Sequence, residues 1–83
     1  MLIRSQDNKK IINLDNVESI SVSTLDGSAV IWCGSRLIGE YSTEERAIKV
    51  LDMFERRYLD FCCNYHSKSG VFQMPADDEV EDD

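Results

Sequence analysis

One amphipathic stretch, from Thr43 to Tyr65, constrains the fold of this chain more than any other feature of its sequence. Ser42 and Glu45 have the spacing of a capping box, in which the Ser42 hydroxyl accepts from the Glu45 amide and the Glu45 side chain returns to the Ser42 N–H. At 100° per residue, the apolar side chains of the predicted helix fall within an arc of about 120°. They are Ala47, Val50, Leu51, Phe54, Tyr58, Phe61, Cys62 and Tyr65. This stripe requires an apolar surface to cover it.

The residues before the helix predict antiparallel strands that can supply that surface. Short β-prone runs occupy residues 1–5, 10–14, 29–33 and 36–41, and residues 17–24 alternate apolar and polar side chains with the period of a half-buried strand. Turn-forming residues separate these runs, namely residues 6–9, Asp15-Asn16, Asp26-Gly27 and Gly34-Ser35. The first half of the chain is therefore predicted to be a meander of about five strands.

Residues 71–75 predict one more short strand, which ends at Pro75 because proline cannot donate to a strand ladder. The predicted fold is α+β, with an antiparallel sheet of about five or six strands packed against one long helix. A chain of 83 residues buries only about 60 to 65% of its unfolded surface, so a single domain over residues 1–75 is expected. Its predicted core is Ile20, Val22, Val30, Trp32, Leu37, Tyr41, Val50, Leu51, Phe54, Tyr58, Phe61 and Phe72.

The acidity of the chain is concentrated at its C-terminal end. The net charge is −7, and six of the 16 acids lie in residues 76–83 without a base among them. The remaining ten acids face nine bases, so residues 1–75 are close to neutral. A run of like charges repels itself and has little apolar area to bury, so residues 76–83 are predicted to be a disordered acidic tail. Direct nucleic-acid binding through a basic surface is not expected.

The sequence gives no indication of export or of a membrane span. No apolar run approaches about 18 residues. Charge appears already at Arg4 and Asp7, which does not fit a signal peptide. The three cysteines, Cys33, Cys62 and Cys63, are odd in number, and two are adjacent, unlike a disulfide framework. A protein of the reducing cytoplasm is therefore expected.

Candidate catalytic and metal-binding patterns are weak. Cys63 and His66 share a helix face, but structural zinc requires two spaced ligand pairs, and adjacent cysteines on a helix point about 100° apart. The same pair as nucleophile and base would need an oxyanion hole and a cleft, which no motif indicates. Gly34 and Gly39 do not form a phosphate-binding loop. We therefore expect a protein that is not an enzyme and has no cofactor or metal.

Two surfaces are candidates for binding a partner. Ile48 and Leu59 fall at about 160° and 180° on the helical wheel, well off the apolar stripe, and their neighbours are charged. Scattered exposed apolar residues are common, but these two can also form the centre of a contact surface. The second candidate is the acidic tail, whose carboxylates can compete for a basic groove. They are Asp77, Asp78, Glu79, Glu81, Asp82 and Asp83.

Four segments, residues 2–7, 13–17, 39–47 and 71–75, together resemble small uncharacterised proteins encoded by phages, prophages and other mobile elements of Gram-positive bacteria. The resemblance covers most of the chain, but residues 25–37 and the Cys62-Cys63 pair do not match its pattern. Its motifs are structural, and it implies no catalytic residue.

The resemblance implies a location in the cytoplasm of a host bacterium and a non-enzymatic accessory role. Small proteins of this kind often act by binding a host or phage protein, and those that inhibit host defence include the anti-CRISPR proteins. The alternative is a structural phage component that associates with itself, as a homodimer for example. An inhibitor should bind a host protein, whereas a structural component should self-associate or co-purify with phage proteins.

Overall fold

The computed structural model describes residues 1–63 and 70–80, with the side chains of residues 60–63 outside that description. Within these residues the chain forms short strands, one long helix and two single turns of 3-10 helix. In chain order they are β1 (Leu2–Arg4), β2 (Ile11–Asn13), a 3-10 turn (Leu14–Asn16), β3 (Ile20–Leu25), β4 (Ser28–Cys33), β5 (Arg36–Tyr41), α1 (Glu44–Cys63), β6 (Val71–Gln73) and a 3-10 turn (Asp77–Glu79).

The strands form two three-stranded sheets, which confirms the α+β class and corrects the single sheet predicted. In the first sheet, β1 pairs antiparallel with β2 and parallel with β6. In the second, β3, β4 and β5 form an antiparallel meander. The sheets separate at the 3-10 turn after β2, where the Val17 N–H donates to the Leu14 carbonyl and turns the chain before β3 begins.

Local turn chemistry produces the meander as predicted. Asp26 and Gly27 both have positive φ angles, 51° and 86°, which is the conformation of a type I′ turn between β3 and β4. Gly34 has a φ of 63° and leads the two-residue turn between β4 and β5. Both turns have a backbone twist that matches antiparallel strands and set the register next to them. In the β4–β5 pair the register then shifts once, between Ile31 and Trp32.

Gln6 and Tyr41 join the two sheets. The Gln6 backbone N–H donates to the Ile38 carbonyl at 2.8 Å, and the Gln6 side chain both donates to the Glu40 carbonyl and accepts from the Glu40 N–H. The buried Tyr41 hydroxyl donates to the Pro75 carbonyl at 2.7 Å. Burial is the main reason that the pKa of Tyr41 is raised, so this hydroxyl keeps its proton.

The core lies between α1 and the two sheets. The predicted core residues Val30, Tyr41, Val50 and Phe72 are buried. The predicted residues Ile20, Val22, Leu51 and Phe54 are half-buried and pack against the core. The prediction missed several core residues from other parts of the chain, which are Ile3, Ala29, Ile31, Cys33, Ile38, Ala47, Met74 and Val80.

Three predicted core residues lie elsewhere. Trp32 and Leu37 are half-buried cross-strand neighbours on the face of the meander that does not contact α1, since Ile31 on β4 faces the core. The Trp32 Nε1–H donates to the Ser23 hydroxyl there, at 2.8 Å. Tyr58 is exposed although it lies within the helical stripe. Phe61 is outside the described side chains.

The helix begins one residue later than predicted, because Thr43 and not Ser42 is its N-cap. The Thr43 Oγ1 accepts from the Arg46 N–H at 3.1 Å. Ser42 instead donates its backbone N–H and its hydroxyl to the carboxylate of Asp77, at 2.8 and 3.2 Å. The helix is described to Cys63, and the predicted end at Tyr65 lies outside the described residues.

Residues 76–80 are folded, which corrects the predicted disordered tail for this part of it. The Val80 side chain is only 4% exposed and belongs to the core. Asp77 forms an ion pair with Arg46, with 3.0 Å between Oδ2 and Nη1. Acidity alone predicted disorder, but the run contains one buried apolar residue, Val80, and its first carboxylate, Asp77, pairs with Arg46 on the helix. Residues 81–83 lie outside the described residues.

Candidate protein-contact surface

The helix presents exposed apolar side chains on one flank. Ile48 is 46% exposed and Leu59 is 57% exposed, at positions about 16 Å apart along the helix axis. Tyr58, which the sequence placed in the core, is 41% exposed and lies about 80 to 100° from these two residues on the helical wheel. Asp52 and Glu55 lie between Ile48 and Leu59 on this side of the helix, so the exposed apolar side chains are interspersed with acids.

A groove of about 360 Å³ lies beside this flank, between α1 and the start of β3. Leu51, Phe54 and Tyr58 line its helix side, and Val17 and Ile20 line the opposite side. Leu51 lies three residues after Ile48, so the two side chains are neighbours on the helix surface. We call the set formed by Ile48, Leu51, Tyr58, Leu59, Val17 and Ile20 the α1–β3 surface.

The charges that line the groove are acidic, and the exposed Arg56 lies three residues before Leu59 on the helix. Glu18 and Glu55 line the groove, and no basic residue of the described chain lines it. On the helix, Glu44 and Asp52 lie four residues before and after Ile48, on the same side, and both are exposed. A partner that covers this surface would therefore need apolar groups at its centre and basic groups at its edge.

Among the described residues of the acidic tail, two of the three acids make local contacts. Asp77 is bound to Ser42 and Arg46, and its pKa is lowered chiefly by the N–H that Ser42 donates to it. The Glu79 carboxylate accepts from the Ala76 N–H at 2.8 Å, and Asp78 is exposed. Glu81, Asp82 and Asp83, the other predicted site residues, lie outside the described residues. The tail thus has a structural role near the start of α1.

A wider and more polar groove, of about 930 Å³, lies between β2 and the turn that joins β4 to β5. Its charged lining residues are Lys10, Arg36 and Glu18. Cys33 lies at its base as a buried thiol, and burial raises the pKa of that thiol, which makes it a poor nucleophile.

Other candidate chemistry finds no support in the described part of the chain. Its His, Cys, Asp and Glu side chains include no group of three placed to hold a metal ion. The predicted Cys63 and His66 pair lies outside the described side chains. No helix in the described ranges is both long enough and apolar enough to cross a membrane. Comparison of the chain with protein-family models, curated proteins and solved structures gives no match.

The sequence predicted only part of the α1–β3 surface. Ile48 and Leu59 were identifiable because they depart from the helical stripe, whereas Tyr58 fits the stripe and was assigned to the core. Val17 and Leu14 line the groove from either side of the Asp15-Asn16 turn. In the sequence, the only sign of these two residues was that both are apolar and lie next to a turn. Their approach to α1 depends on how β3 packs, which no local pattern specifies.

Proposed function

We propose that this chain is a small non-enzymatic accessory protein of a phage or mobile element, and that it acts by binding another protein through the α1–β3 surface. The observation that carries this proposal is the exposure of Ile48, Tyr58 and Leu59 beside an apolar groove. Exposed apolar side chains beside an apolar groove, with polar residues around them, are typical of protein-interaction sites on soluble domains. The resemblance to mobile-element proteins supplies the cellular setting, the cytoplasm of the host bacterium.

The charge of this surface favours a basic partner. Glu18, Glu44, Asp52 and Glu55 surround the apolar residues, and acidic borders increase the association rate with positively charged surfaces. Host proteins that bind nucleic acid present such surfaces. Inhibition of a host defence protein, as anti-CRISPR proteins do, is therefore the specific role we favour. In this role the acidic residues beside the helix flank, and not those of the tail, would contact the basic surface of the partner.

The alternative function is a structural phage component that associates with itself. It is supported by the open edge of β3, which carries no charged residue from Ile20 to Leu25. Sedimentation of the purified protein distinguishes the two functions. A monomer at micromolar concentration favours the accessory role, and a stable homodimer favours the structural one.

The proposed function is tested by neutral polar substitutions on the helix flank. Ile48→Gln with Leu59→Gln removes apolar area without adding charge. Met53→Gln is the matched control, because Met53 is 44% exposed on α1 but about 120° or more away from both residues on the wheel. The wild type and both variants are used to capture host proteins, and affinity for each captured protein is then measured with purified components.

We expect the double variant to bind the captured partner about tenfold or more weakly, since each apolar side chain buried on binding contributes on the order of 1 kcal/mol. The control should bind as the wild type does. Circular dichroism establishes that all three proteins are folded. Equal affinity of the double variant and the wild type would refute the assignment of binding to the helix flank.

A further inference from the structure

We infer that the partner enters the α1–β3 surface as an extended segment, which adds a fourth strand to the open edge of β3 and turns both apolar and basic side chains to the helix side of the sheet. This inference rests on the proposed function, because it specifies how the partner of that surface is bound. It is drawn from the hydrogen bonds of β3, from the composition of its edge and from the charges beside it.

The backbone of β3 has unused hydrogen-bonding groups on one side. The Gly34 N–H donates to the Ser19 carbonyl at 2.9 Å, which makes these two residues a hydrogen-bonded pair of the β3–β4 ladder. Because such pairs alternate in an antiparallel ladder, Ser21 and Ser23 also bond to β4. The N–H and C=O groups of Ile20, Val22 and Thr24 therefore point away from β4. They make no hydrogen bond to another described residue.

The open edge of β3 lacks the features that usually prevent pairing. Its six residues include no charged residue, no proline and no bulge. The outer edges of other strands are partly occupied: Gln6 bonds to Ile38 and Glu40 on β5, and the Arg57 guanidinium donates to the Val71 carbonyl on β6 at 3.1 Å. Within the described chain, β3 is the longest strand with a free edge.

The helix flank lies where the side chains of a fourth strand would need an apolar surface to pack against. A strand added to β3 lies about 4.8 Å beyond it, and every second side chain of that strand points to the helix side of the sheet. Leu51 and Tyr58 project from α1 over the groove beside β3, at the place those side chains would occupy. The added strand would thus bury apolar area that the three-stranded meander leaves exposed.

Charge determines which extended segment fits. The groove beside the edge is lined by Glu18 and Glu55 and by no basic residue of the described chain, so lysine or arginine is favoured in the added strand. A second copy of this chain fits less well. Two β3 strands paired symmetrically about Val22 would place Glu18 of each copy opposite Asp26 of the other, which brings like charges together at both ends.

The inference is tested by residue-resolved amide hydrogen exchange, measured by NMR on the full chain. The probe is an acetylated and amidated six-residue peptide in which threonine alternates with valine, lysine and valine, so that the last three lie on one face, and the control replaces the lysine with glutamate. In the free protein, the amides of Ser21 and Ser23 should exchange slowly and those of Ile20, Val22 and Thr24 should exchange fast. With saturating lysine peptide, the three fast amides should slow by about tenfold or more.

Three results would overturn strand addition. The first is binding of the lysine peptide without slower exchange at Ile20, Val22 and Thr24. The second is absence of binding at millimolar peptide, or equal binding of the glutamate peptide. The third is slow exchange at these amides without peptide in a protein that sediments as a dimer, which would make a second copy the occupant. If strand addition fails while Ile48→Gln with Leu59→Gln still weakens binding of the captured partner, the proposed function stands without it.

Discussion

Asp77 connects the last described residues to the start of the helix. Its carboxylate accepts two hydrogen bonds from Ser42, and its partner in the ion pair, Arg46, also donates to the Asp77 carbonyl at 3.0 Å. These contacts explain why Ser42 is not the N-cap: both its donors are directed at Asp77, and Thr43 caps the helix instead. The Ser42 and Glu45 pattern located the helix start to within one residue but could not show a contact 35 residues away.

Substitution of Thr43 and of Ser42 tests which of the two residues caps the helix. Thr43→Ala should lower the free energy of unfolding by about 1 kcal/mol, because the Arg46 N–H loses its acceptor. Ser42→Ala removes only the exposed hydroxyl contact to Asp77, so its effect should be smaller. Denaturant unfolding of both variants provides the comparison. The reverse order of the two losses would restore Ser42 as the cap.

Removal of the Asp77 charge should destabilise the protein in a pH-dependent way. The pKa of Asp77 is lowered in the folded state, so its carboxylate contributes stability above about pH 3.8 and loses that contribution as the pH falls through the folded-state pKa. Asp77→Asn should therefore cost up to about 1 kcal/mol at pH 7, as expected for an exposed ion pair, and much less at pH 3. Asp78→Asn is the matched control. A loss for Asp77→Asn that does not change with pH would show that the charge is not involved.

At the scale of elements, α1 and the meander were predictable because their determinants are local. The helical period, the Asp26-Gly27 turn and the Gly34 turn each lie within a few residues of the structure they specify. The partition into two sheets was not predictable in the same way. It depends on the parallel pairing of β1 with β6, in which Ile3 and Phe72 are 69 positions apart, and on the turn after β2. The exposure of Tyr58 follows from that partition, because a wider sheet would have covered it.

The acids beside the α1–β3 surface should contribute to the affinity and the salt dependence of partner binding. Glu18→Gln with Glu55→Gln should weaken binding of the lysine peptide several-fold at low salt, and the difference from wild type should shrink as salt screens the charges. Glu40→Gln with Asp78→Asn is the control, since these exposed acids neither line the groove nor neighbour the helix residues of the surface. Titrations at several ionic strengths provide the measurement. Identical salt dependence in all three proteins would contradict a role for the groove charges.

At the scale of the whole molecule, the two ends of the chain complete one core. β1 and β6 pair in the first sheet, Tyr41 bonds to the Pro75 carbonyl, and Val80 packs into the cluster that also holds Ile3. The sequence predicted β6 but ended the domain at Pro75, because composition made residues 76–83 resemble a disordered tail. A single apolar residue among acids is a weak local signal. Its burial depends on a site formed by residues from the rest of the chain.

The last described residues should therefore be required for full stability. Val80→Ala should lower the free energy of unfolding by about 2 kcal/mol, since it removes two buried methyl groups, and should lower the melting temperature by about 10 °C. A chain that ends at Pro75 loses both Val80 and the Asp77 contacts, so it should melt at a still lower temperature. Ala76→Gly and Asp78→Ala are controls in the same segment, because both residues are exposed. If the chain ending at Pro75 melts with the full chain, residues 76–80 do not stabilise the core and their acidic side chains are again available to a partner.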